Sequence, residues 1–268
     1  MIHPTALIDP AAIIGSDVKI GPFSIIHAGV QIGNRCEFHS NVVIYPGVKM
    51  GEENVVHANT VLGGLPQDVS FSPQTVSYVN LGNRNVFREN VTIHRGAKEN
   101  SVTSVGNDCF LMAGAHMGHD SQIGDRVILA NGVMLGGYVT VGDRAFLGGA
   151  AAAHQFVRIG RLAMTQGLSA ISKDIPPFVM ISDVNLVGGL NKVGLKRAGI
   201  SLESINEIKA AFTLIYRSGM NVSQALAAVD ERAWGADAME FFDFVRTAQK
   251  RGICMPARVH SGAKTELS

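Results

Sequence analysis

Two histidines and an aspartate stand close together in the stretch LMAGAHMGHD, at His116, His119 and Asp120. An imidazole exchanges a proton near neutral pH, and a carboxylate beside it can fix the tautomer of the ring, so the group suits general-base chemistry. A tetrahedral zinc site would need a third ligand; His94 is the nearest candidate, although its place in the local sequence pattern differs. The histidines could also be ordinary polar surface residues, and their spacing leaves all three interpretations open.

The elements that must position these residues follow a repeat of six. Large apolar side chains recur at that spacing within residues 2–62, 81–93 and 105–171. An α-helix, with about 3.6 residues per turn, cannot keep such a column on one face, whereas short strands separated by turns can. We therefore predict a β-solenoid of triangular cross-section. Three six-residue sides, 18 residues, complete one coil, and the large apolar residues fill its interior.

Two further columns accompany the apolar one. A glycine often follows the large residue, where we expect it to adopt turn conformations that a Cβ would penalise. A small side chain lies four residues after the large one, and Cys36 and Cys109 fall in that column as expected core filler. Residues 18 apart stack on successive coils, so His119, Gly137 and Gln155 form one column. The Gly137 N–H would then lie beside a candidate base and could stabilise the oxyanion of an acyl transfer.

The repeat is interrupted twice. Residues 63–80 shift its register by one and contain two prolines, and residues 97–104 lose the apolar position at Glu99. Loops ejected from a solenoid are where binding groups usually lie. We therefore expect both segments to be ejected loops near a binding site.

The composition changes after Pro176 and its neighbouring proline. Apolar residues three to four apart predict helices behind N-caps at Ser201 and Asn221. We predict a β-helix over residues 1–191 and a helical C-terminal domain over residues 192–268. The last dozen residues of that domain are expected to form a frayed tail.

Bulk composition excludes several classes of function. The chain has 268 residues and a net charge of +1, which gives no electrostatic case for binding nucleic acid or inserting into a membrane. Its three cysteines are odd in number and far apart, which favours a reducing compartment over a disulfide framework. No signal-peptide pattern opens the sequence and no long apolar stretch interrupts it, so we predict a soluble cytoplasmic protein.

The six-residue pattern resembles the left-handed parallel β-helix of the hexapeptide-repeat acyltransferases, which also implies a homotrimer with active sites between subunits. Six short motifs, in this order along essentially the whole chain, resemble the acyl-ACP:UDP-N-acetylglucosamine O-acyltransferase family, which performs the first step of lipid A synthesis. They are PQD at 66–68, IHRGA at 93–97, HMGHD at 116–120, AHQF at 153–156, DIPPF at 174–178 and GLKRAG at 194–199.

The resemblance implies roles for particular residues. His119 matches the general base, Asp120 its partner and Gly137 the oxyanion donor. Gly167 matches a position that limits acyl length, where a glycine leaves room for longer 3-hydroxyacyl chains. Positions matching the loop over the sugar, a substrate-contacting histidine and the nucleotide-diphosphate region are Gln67, Asp68, His116, His154, Gln155, Asn191 and Arg197.

The family's acyl donor is acyl carrier protein, which carries the acyl group on its phosphopantetheine arm. The resemblance therefore implies no metal and no bound cofactor. Lys192, Lys196 and Arg197 form a basic patch that suits an acidic carrier protein. A solvated helix face is the alternative interpretation of that patch.

The chain departs from the family's pattern around its substrate. Val69 and Ser70 replace a Leu-Lys pair, Tyr138 replaces a histidine, Val193 replaces a glutamate and Ala198 replaces an arginine. Loss of a lysine would relieve its repulsion of a protonated amine. The alternative acceptor is therefore the 3-amino analogue of UDP-N-acetylglucosamine, which would give an amide.

Two other classes of protein use such a solenoid. A γ-type zinc carbonic anhydrase would require three converging histidines. A solenoid scaffold without catalytic activity would tolerate the departures from the family's pattern. The complete set of His119, Asp120 and Gly137 favours an enzyme over a scaffold, because a scaffold does not need a base beneath an exposed backbone N–H.

Overall fold

The chain winds into a three-sided prism whose sides are parallel β-sheets. The computed structural model describes residues 1–248 and 251–257. Apart from the last two strands of one sheet, the order of strands in each sheet advances three at a time, so that every turn of the solenoid visits all three sheets once. The predicted left-handed parallel β-helix with a small helical C-terminal part is confirmed.

The sheets are numbered I, II and III in the order in which the chain visits them. The strands of sheet I are Leu7–Ile8, Ile25–Ile26, Val43–Ile44, Val61–Gly64, Thr92–His94, His116–Met117, Met134–Leu135, Ala152–Ala153 and Ala170–Ile171. Those of sheet II are Ile13–Ile14, Gln31–Ile32, Val48–Met50, Tyr78–Leu81, Val102–Val105, Gln122–Ile123, Thr140–Val141 and Arg158–Ile159. Those of sheet III are Lys19–Ile20, Glu37–Phe38, Val55–Val56, Val86–Phe87, Phe110–Leu111, Ile128–Leu129, Phe146–Leu147, Met164–Thr165, Val179–Ser182 and the antiparallel Leu186–Leu190.

Backbone hydrogen bonds and an apolar interior join successive coils. In sheet I, His116 pairs with Met134 and Met117 pairs with Leu135, and the His116 N–H donates to the Val133 carbonyl at 2.8 Å. Met117 and Leu135 are fully buried, as are most residues of their column. Burying a side chain of this size stabilises the fold by roughly 1.5–3 kcal/mol. The column of large apolar residues is therefore a principal source of the solenoid's stability.

The corners of the prism use left-handed backbone conformations at residues other than glycine. The third residue after an interior side chain has positive φ, as at Arg126 (57°) and Arg144 (57°). Gly33, which directly follows an interior residue, has no positive φ, and a Cβ on it would lie 2.6 Å from the Gly51 carbonyl in the next coil. The expectation that such glycines supply the turn conformation is therefore wrong. They are needed because neighbouring coils approach closely at these positions.

Two loops leave the coils on the same side of the molecule. The long loop, residues 65–77, and the short loop, residues 95–101, both connect a strand of sheet I to the next strand of sheet II. Residues 102–104 were expected in the second loop but pair in register with Tyr78, Val79 and Asn80. The apolar position is lost at Glu99 because that residue lies in the short loop, and the column resumes at Val105 in the next strand.

Helices follow the last strand of sheet III. They are α1 (Lys192–Arg197), α2 (Leu202–Arg217), α3 (Val222–Ala227), a 3₁₀ turn (Ala228–Glu231) and α4 (Ala236–Arg246). The Ser201 hydroxyl accepts the Ser204 N–H at 3.1 Å and so caps α2. Asn221 and Gln224 exchange side-chain to backbone hydrogen bonds at the start of α3. Both predicted N-caps are confirmed.

Two arginines fasten the helices to the solenoid. Arg158 pairs with Asp174 at 2.8 Å, and its guanidinium lies 4.4 Å from the centre of the Phe244 ring in α4. Arg161 pairs with Glu240 of α4 at 2.7 Å. Both arginines extend from the sheet II side of the prism, so α4 covers that side near the end of the solenoid.

The chain then returns to the solenoid in an extended conformation. Residue Ile253 bridges Asp174, and Met255 bridges Leu186. Most of the predicted tail, residues 258–268, lies outside the described residues, and the division into two domains at residue 192 stays a prediction. None of the helices described is both long and apolar enough to cross a lipid bilayer.

Candidate active site

His119 and Asp120 form a hydrogen-bonded pair at the corner between sheets I and II. The His119 Nδ1 lies 2.8 Å from the Asp120 carboxylate, and the two side chains are 15% and 6% exposed. A carboxylate only accepts, so Nδ1 carries the proton and Nε2 is left as the basic atom. This is the tautomer that a general base requires.

Asp120 is held by the backbone around it. It is the positive-φ residue of its corner (φ 60°), its N–H donates to the Thr103 hydroxyl at 2.7 Å, and its carboxylate accepts the Ala97 N–H at 2.9 Å. Burial acts to raise the pKa of Asp120. Hydrogen bonds from Ser101, His119 and the Ala97 N–H outweigh that effect and hold the pKa below its usual value, so the carboxylate is anionic.

Gly137 lies directly against the His119 ring, one coil further along. A Cβ on Gly137 would approach Cε1 and Nε2 of His119 to 2.6 Å. Among the residues that the structure describes, the Gly137 N–H has no hydrogen-bond acceptor. A free N–H donor therefore stands next to the basic nitrogen of His119.

His94 and His116 complete a cluster of imidazoles. Their rings meet edge to face at 4.8 Å between centres, and the His116 Nδ1 lies 2.7 Å from the Thr92 hydroxyl. Burial, with smaller contributions from His116 and His119, lowers the pKa of His94 to about 4. Burial also lowers the pKa of His116. Both rings are therefore neutral at pH 7.

The cluster does not have the arrangement of a metal centre. Within residues 1–248 and 251–257, no three His, Cys, Asp or Glu side chains are grouped as potential ligands of one ion. One ring nitrogen of His116 is taken up by Thr92 and one of His119 by Asp120. The ligand set that a zinc carbonic anhydrase requires is therefore not found among the described residues.

A groove of about 560 Å³ runs along sheet I past this cluster. The residues predicted for substrate and catalysis that line it are Gln67, His116, His119, Gly137, His154 and Gln155. Its floor is formed by small and apolar residues such as Ala152 and Ile171. The groove therefore combines an apolar floor with polar groups at one edge, as substrate sites commonly do.

Asp68 and Ser70 lie beside the groove, in the long loop. The Ser70 backbone N–H and hydroxyl both donate to the Asp68 carboxylate, at 2.9 and 2.8 Å. These two hydrogen bonds lower the pKa of Asp68, and the nearby His119 lowers it further. The serine that replaces the family's lysine therefore fixes the Asp68 carboxylate as an anion.

Tyr138 occupies the corner position next to Gly137. Its ring meets His119 edge to face at 5.1 Å and stacks on Phe156 at 4.8 Å, with the Lys98 ammonium 5.8 Å from the ring centre. Burial and the nearby Asp120 raise the pKa of Tyr138. An uncharged aromatic pair thus borders the catalytic corner.

Other predicted residues lie away from this groove within one chain. Gly167 lies at the corner where the chain passes from sheet III to sheet I. Asn191 and Arg197 line a second groove of about 770 Å³ over sheet III, and Lys192 and Lys196 are exposed on α1. The Asn191 side chain caps α1 by accepting the Gly194 N–H at 2.9 Å and donating to the Leu162 carbonyl at 2.9 Å.

The sequence did not indicate several contacts at the site. Thr103 lies in the column of small residues, where Ser24 and Ser121 are also buried, so its hydroxyl gave no distinct signal. The Ala97 N–H and the Ser101 hydroxyl gave no signal, because their direction depends on the loop conformation. Arg251, which follows α4, has Nη1 2.6 Å from the His154 Nδ1, and nothing in its local sequence indicates that contact.

Two family models match parts of the chain. One, described as UDP N-acetylglucosamine O-acyltransferase, domain 2, matches residues 174–254. The other, described as bacterial transferase hexapeptide (six repeats), matches residues 11–45, 29–64 and 103–137. The models thus match the C-terminal part and the repeats separately.

Relatives match over nearly the full length. The chain is 48% identical to an acyl-ACP–UDP-N-acetylglucosamine O-acyltransferase of Sulfurihydrogenibium sp., over 96% of this chain and 95% of the relative. It is 41% identical to one of Saccharophagus degradans, over 94% of this chain and 98% of the relative. The solved UDP-N-acetylglucosamine acyltransferase of Francisella novicida superposes with a TM-score of 0.91 at 36% identity, over 95% of this chain and 94% of that chain.

Proposed function

This chain belongs to the UDP-N-acetylglucosamine O-acyltransferase family, and we propose that His119 is the general base of its reaction. The reaction transfers an acyl group from acyl carrier protein to UDP-N-acetylglucosamine in lipid A biosynthesis. The proposal extends to an (R)-3-hydroxyacyl group as donor and to position 3 of the sugar as acceptor. The observation that carries it is the contact of His119 with both Asp120 and Gly137.

The first step forms the new bond. Nε2 of His119 takes the proton of the sugar hydroxyl as the oxygen attacks the thioester carbonyl. The Asp120 carboxylate stabilises the imidazolium that results, because it already accepts from Nδ1 at 2.8 Å. The Gly137 N–H donates to the oxyanion, which is where the largest negative charge develops.

The second step expels the carrier. The tetrahedral intermediate collapses, its carbon–sulfur bond breaks, and the thiol of the phosphopantetheine arm takes the proton from His119. His119 is then neutral again, as it was before the cycle. His94 and His116, which are neutral at pH 7 because burial lowers the pKa of each, take part as hydrogen-bonding groups in the groove.

The remaining substrate residues support a trimer. The catalytic corner joins sheets I and II, whereas Asn191 and Arg197 lie over sheet III, which is the side of the prism opposite that corner. In a threefold ring each interface joins two different surfaces of neighbouring copies. A homotrimer would therefore bring the catalytic corner of one copy to Asn191 and Arg197 of the next, and Gly167 at the end of the acyl path would be bordered by two subunits.

The carrier protein would approach along α1. Lys192, Lys196 and Arg197 are exposed there and supply the positive charge that an acidic carrier requires. The acyl group arrives on the carrier, so the mechanism uses no bound cofactor. A cytoplasmic location fits a reaction between acyl carrier protein and a nucleotide sugar and is part of the same proposal.

A second acceptor is favoured by the contacts of Asp68. Ser70 fixes this carboxylate as an anion close to His119, and the lysine that would neutralise it is absent. An ammonium group on the sugar would be attracted to that anion. Transfer to the 3-amino analogue of UDP-N-acetylglucosamine, giving an amide, is therefore the alternative.

A competition assay separates these acceptors. Purified protein is incubated with a mixture of 3-hydroxyacyl carrier proteins and equal amounts of the 3-hydroxy and 3-amino sugar nucleotides, and products are identified by mass spectrometry. We expect an ester of one preferred chain length. A predominant amide would establish the alternative acceptor, and no acylation of either sugar would refute both.

A further inference from the structure

The long loop (residues 65–77), which carries Gln67 and Asp68 to the groove, has little support of its own. Most of its residues are exposed, Val69 completely. Apart from the turn around Asp68, its internal hydrogen bonds are confined to Ser72 and its neighbours. A segment with so few buried contacts keeps one position only if something outside it holds it there.

The short loop (residues 95–101) makes the contacts that hold the long loop. Arg95 donates from Nη2 to the Pro73 carbonyl at 3.0 Å, and its guanidinium lies 5.5 Å from the centre of the Phe71 ring. Glu99 accepts the Val76 N–H at 3.1 Å. The Arg95 contacts reach the middle of the long loop, whereas Glu99 holds only its end.

The short loop also contacts the catalytic pair. The Ala97 N–H donates to the Asp120 carboxylate at 2.9 Å, and the Ser101 side chain helps to lower the pKa of that carboxylate. Ala97 is two residues from Arg95. One short segment thus contacts the carboxylate that orients His119 and the loop that carries the groove residues.

Arg95 is unusual for an arginine on a loop. Its Nε is buried and has no hydrogen-bond acceptor among the residues that the structure describes, and burial lowers the pKa of the guanidinium. A buried donor without a partner destabilises the fold, and its presence in a native structure calls for a reason. The contacts with Phe71 and Pro73 provide one.

We propose that Arg95 is a positioning residue that holds the long loop over the catalytic pair and so sets the affinity for the sugar nucleotide. The proposal rests on the function proposed above and adds a role for a residue outside the catalytic set. Arg95 acts through Phe71 and Pro73, which keep Gln67 and Asp68 at the groove. A lysine could not replace it, because an ammonium group lacks the planar surface that stacks on an aromatic ring.

Steady-state kinetics test the proposal. In Arg95→Ala and Arg95→Lys we expect KM for the sugar nucleotide to rise roughly tenfold, the size expected from losing a hydrogen bond of a charged group, with kcat and KM for the acyl carrier protein little changed. Arg35→Ala is the matched control. Arg35 is an exposed arginine whose partners are Glu52 and Glu53, far from both loops.

A double-mutant cycle tests whether Arg95 acts on the long loop through Phe71. If Arg95 acts through the Phe71 ring, Arg95→Ala combined with Phe71→Ala raises KM for the sugar nucleotide no more than Arg95→Ala alone. Hydrogen exchange of the peptide that spans residues 65–77, measured without substrates, should quicken in Arg95→Ala and remain at the wild-type rate in Arg35→Ala.

An unchanged KM for the sugar nucleotide with unchanged hydrogen exchange would overturn the proposal. So would equal losses for both substrates accompanied by a lower melting temperature, since that pattern indicates a purely structural role. Should wild-type protein acylate neither sugar, the proposed function fails, and the exchange measurement still decides whether Arg95 holds the long loop.

Discussion

The corner between sheets II and III and the corner between sheets I and II have the same backbone conformation. The third residue after the interior position has φ of 57° at Arg126 in the first corner and 61° at Tyr138 in the second. The two corners differ in the residue just before, which is Asp125 in one and Gly137 in the other. An oxygen at this position can accept the backbone N–H of the coil before it, as Asp125 does for Asn107, whereas a glycine leaves that N–H free.

At the corner between sheets II and III, side-chain oxygens accept the N–H groups of the coil below. Asp125 accepts the Asn107 N–H at 2.7 Å, and Asp143 accepts the Asp125 N–H at 2.9 Å. Asn107 does the same for Asn83 at 2.9 Å. The result is a continuous ladder in which the exposed end of each coil is satisfied by the next.

At the corner between sheets I and II the ladder is absent. His119 supplies an imidazole in place of a side-chain oxygen, and Gly137 supplies no side chain that could accept the His119 N–H. The Gly137 N–H has no acceptor among the described residues either, because the Gln155 side chain one coil further along does not accept it. An unsatisfied donor weakens this corner but gives a preorganised group for a developing oxyanion. The proposed active site is therefore a corner that lacks the structural side chains of the other corner.

Replacing His119 should have the largest effect. In His119→Asn we expect kcat to fall by about 10²–10⁴-fold, the range for a general base, with an unchanged melting temperature because the ring fills no core. The measurement is a rate assay with saturating substrates alongside thermal unfolding. Asp125→Asn, at the equivalent position of the other corner, keeps its acceptor oxygen and should retain full activity. A fully active His119→Asn protein would contradict the proposed role of His119 as the general base.

Gly137→Ala should have the next largest effect. The added Cβ would approach the His119 ring to 2.6 Å and push the imidazole from its position against the free N–H. A displacement of about 1 Å in a catalytic group reduces the rate by about 10²-fold, which kcat measurements would detect. Gly188→Ala is the control, because its Cβ would have no atom nearer than the Met180 carbonyl oxygen at 3.8 Å. Wild-type kcat in Gly137→Ala would contradict the close contact.

Asp125→Ala should have the opposite effect to the two substitutions above, because it should lower the stability of the fold and leave kcat unchanged. It removes the acceptor of the Asn107 N–H and of the Asn107 side-chain amide at 3.0 Å. At this exposed site we expect a loss of about 1 kcal/mol in the free energy of unfolding, read as a fall of roughly 2–4 °C in melting temperature. Lower kcat at an unchanged melting temperature would mean that the two corners do not divide structure from catalysis.

The comparison also indicates what a sequence of this kind can reveal. The six-residue column fixes which side chains point inward, and the 18-residue period by itself predicts that His119 lies under Gly137. The helix caps at Ser201 and Asn221 are local and were predicted correctly. The correct predictions for the solenoid depend on a strict period, which relates separation along the chain to separation in space.

The misses occur where the period is broken. The role of the glycines after interior residues was misjudged, because close approach of coils and positive φ both favour glycine. The Arg95 and Ala97 contacts depend on how two loops fold against each other, and the Arg251 contact with His154 joins segments 97 residues apart. Asn191 was expected at the nucleotide, and its side chain also caps α1, a local contact that the N-cap preference of asparagine indicates.

The smallest expected effect is the contribution of the buried His94 to the pH dependence of stability. Burial lowers the pKa of His94 to about 4, whereas in the unfolded chain the ring would have a pKa of about 6.5. Between these values the unfolded state binds more protons than the folded state, so stability falls as the pH falls from about 6.5 towards 4.

In His94→Gln this dependence should flatten, because a neutral amide takes up no proton. Melting temperatures of the two proteins between pH 4 and 7 provide the measurement, with the exposed His3→Gln variant expected to follow the wild type. Equal slopes for wild type and His94→Gln would mean that the buried ring is hydrated when protonated. The clustered imidazoles would then carry no stability penalty, and the difference between the two corners would reduce to backbone N–H groups, such as that of Gly137, that have no acceptor among the described residues.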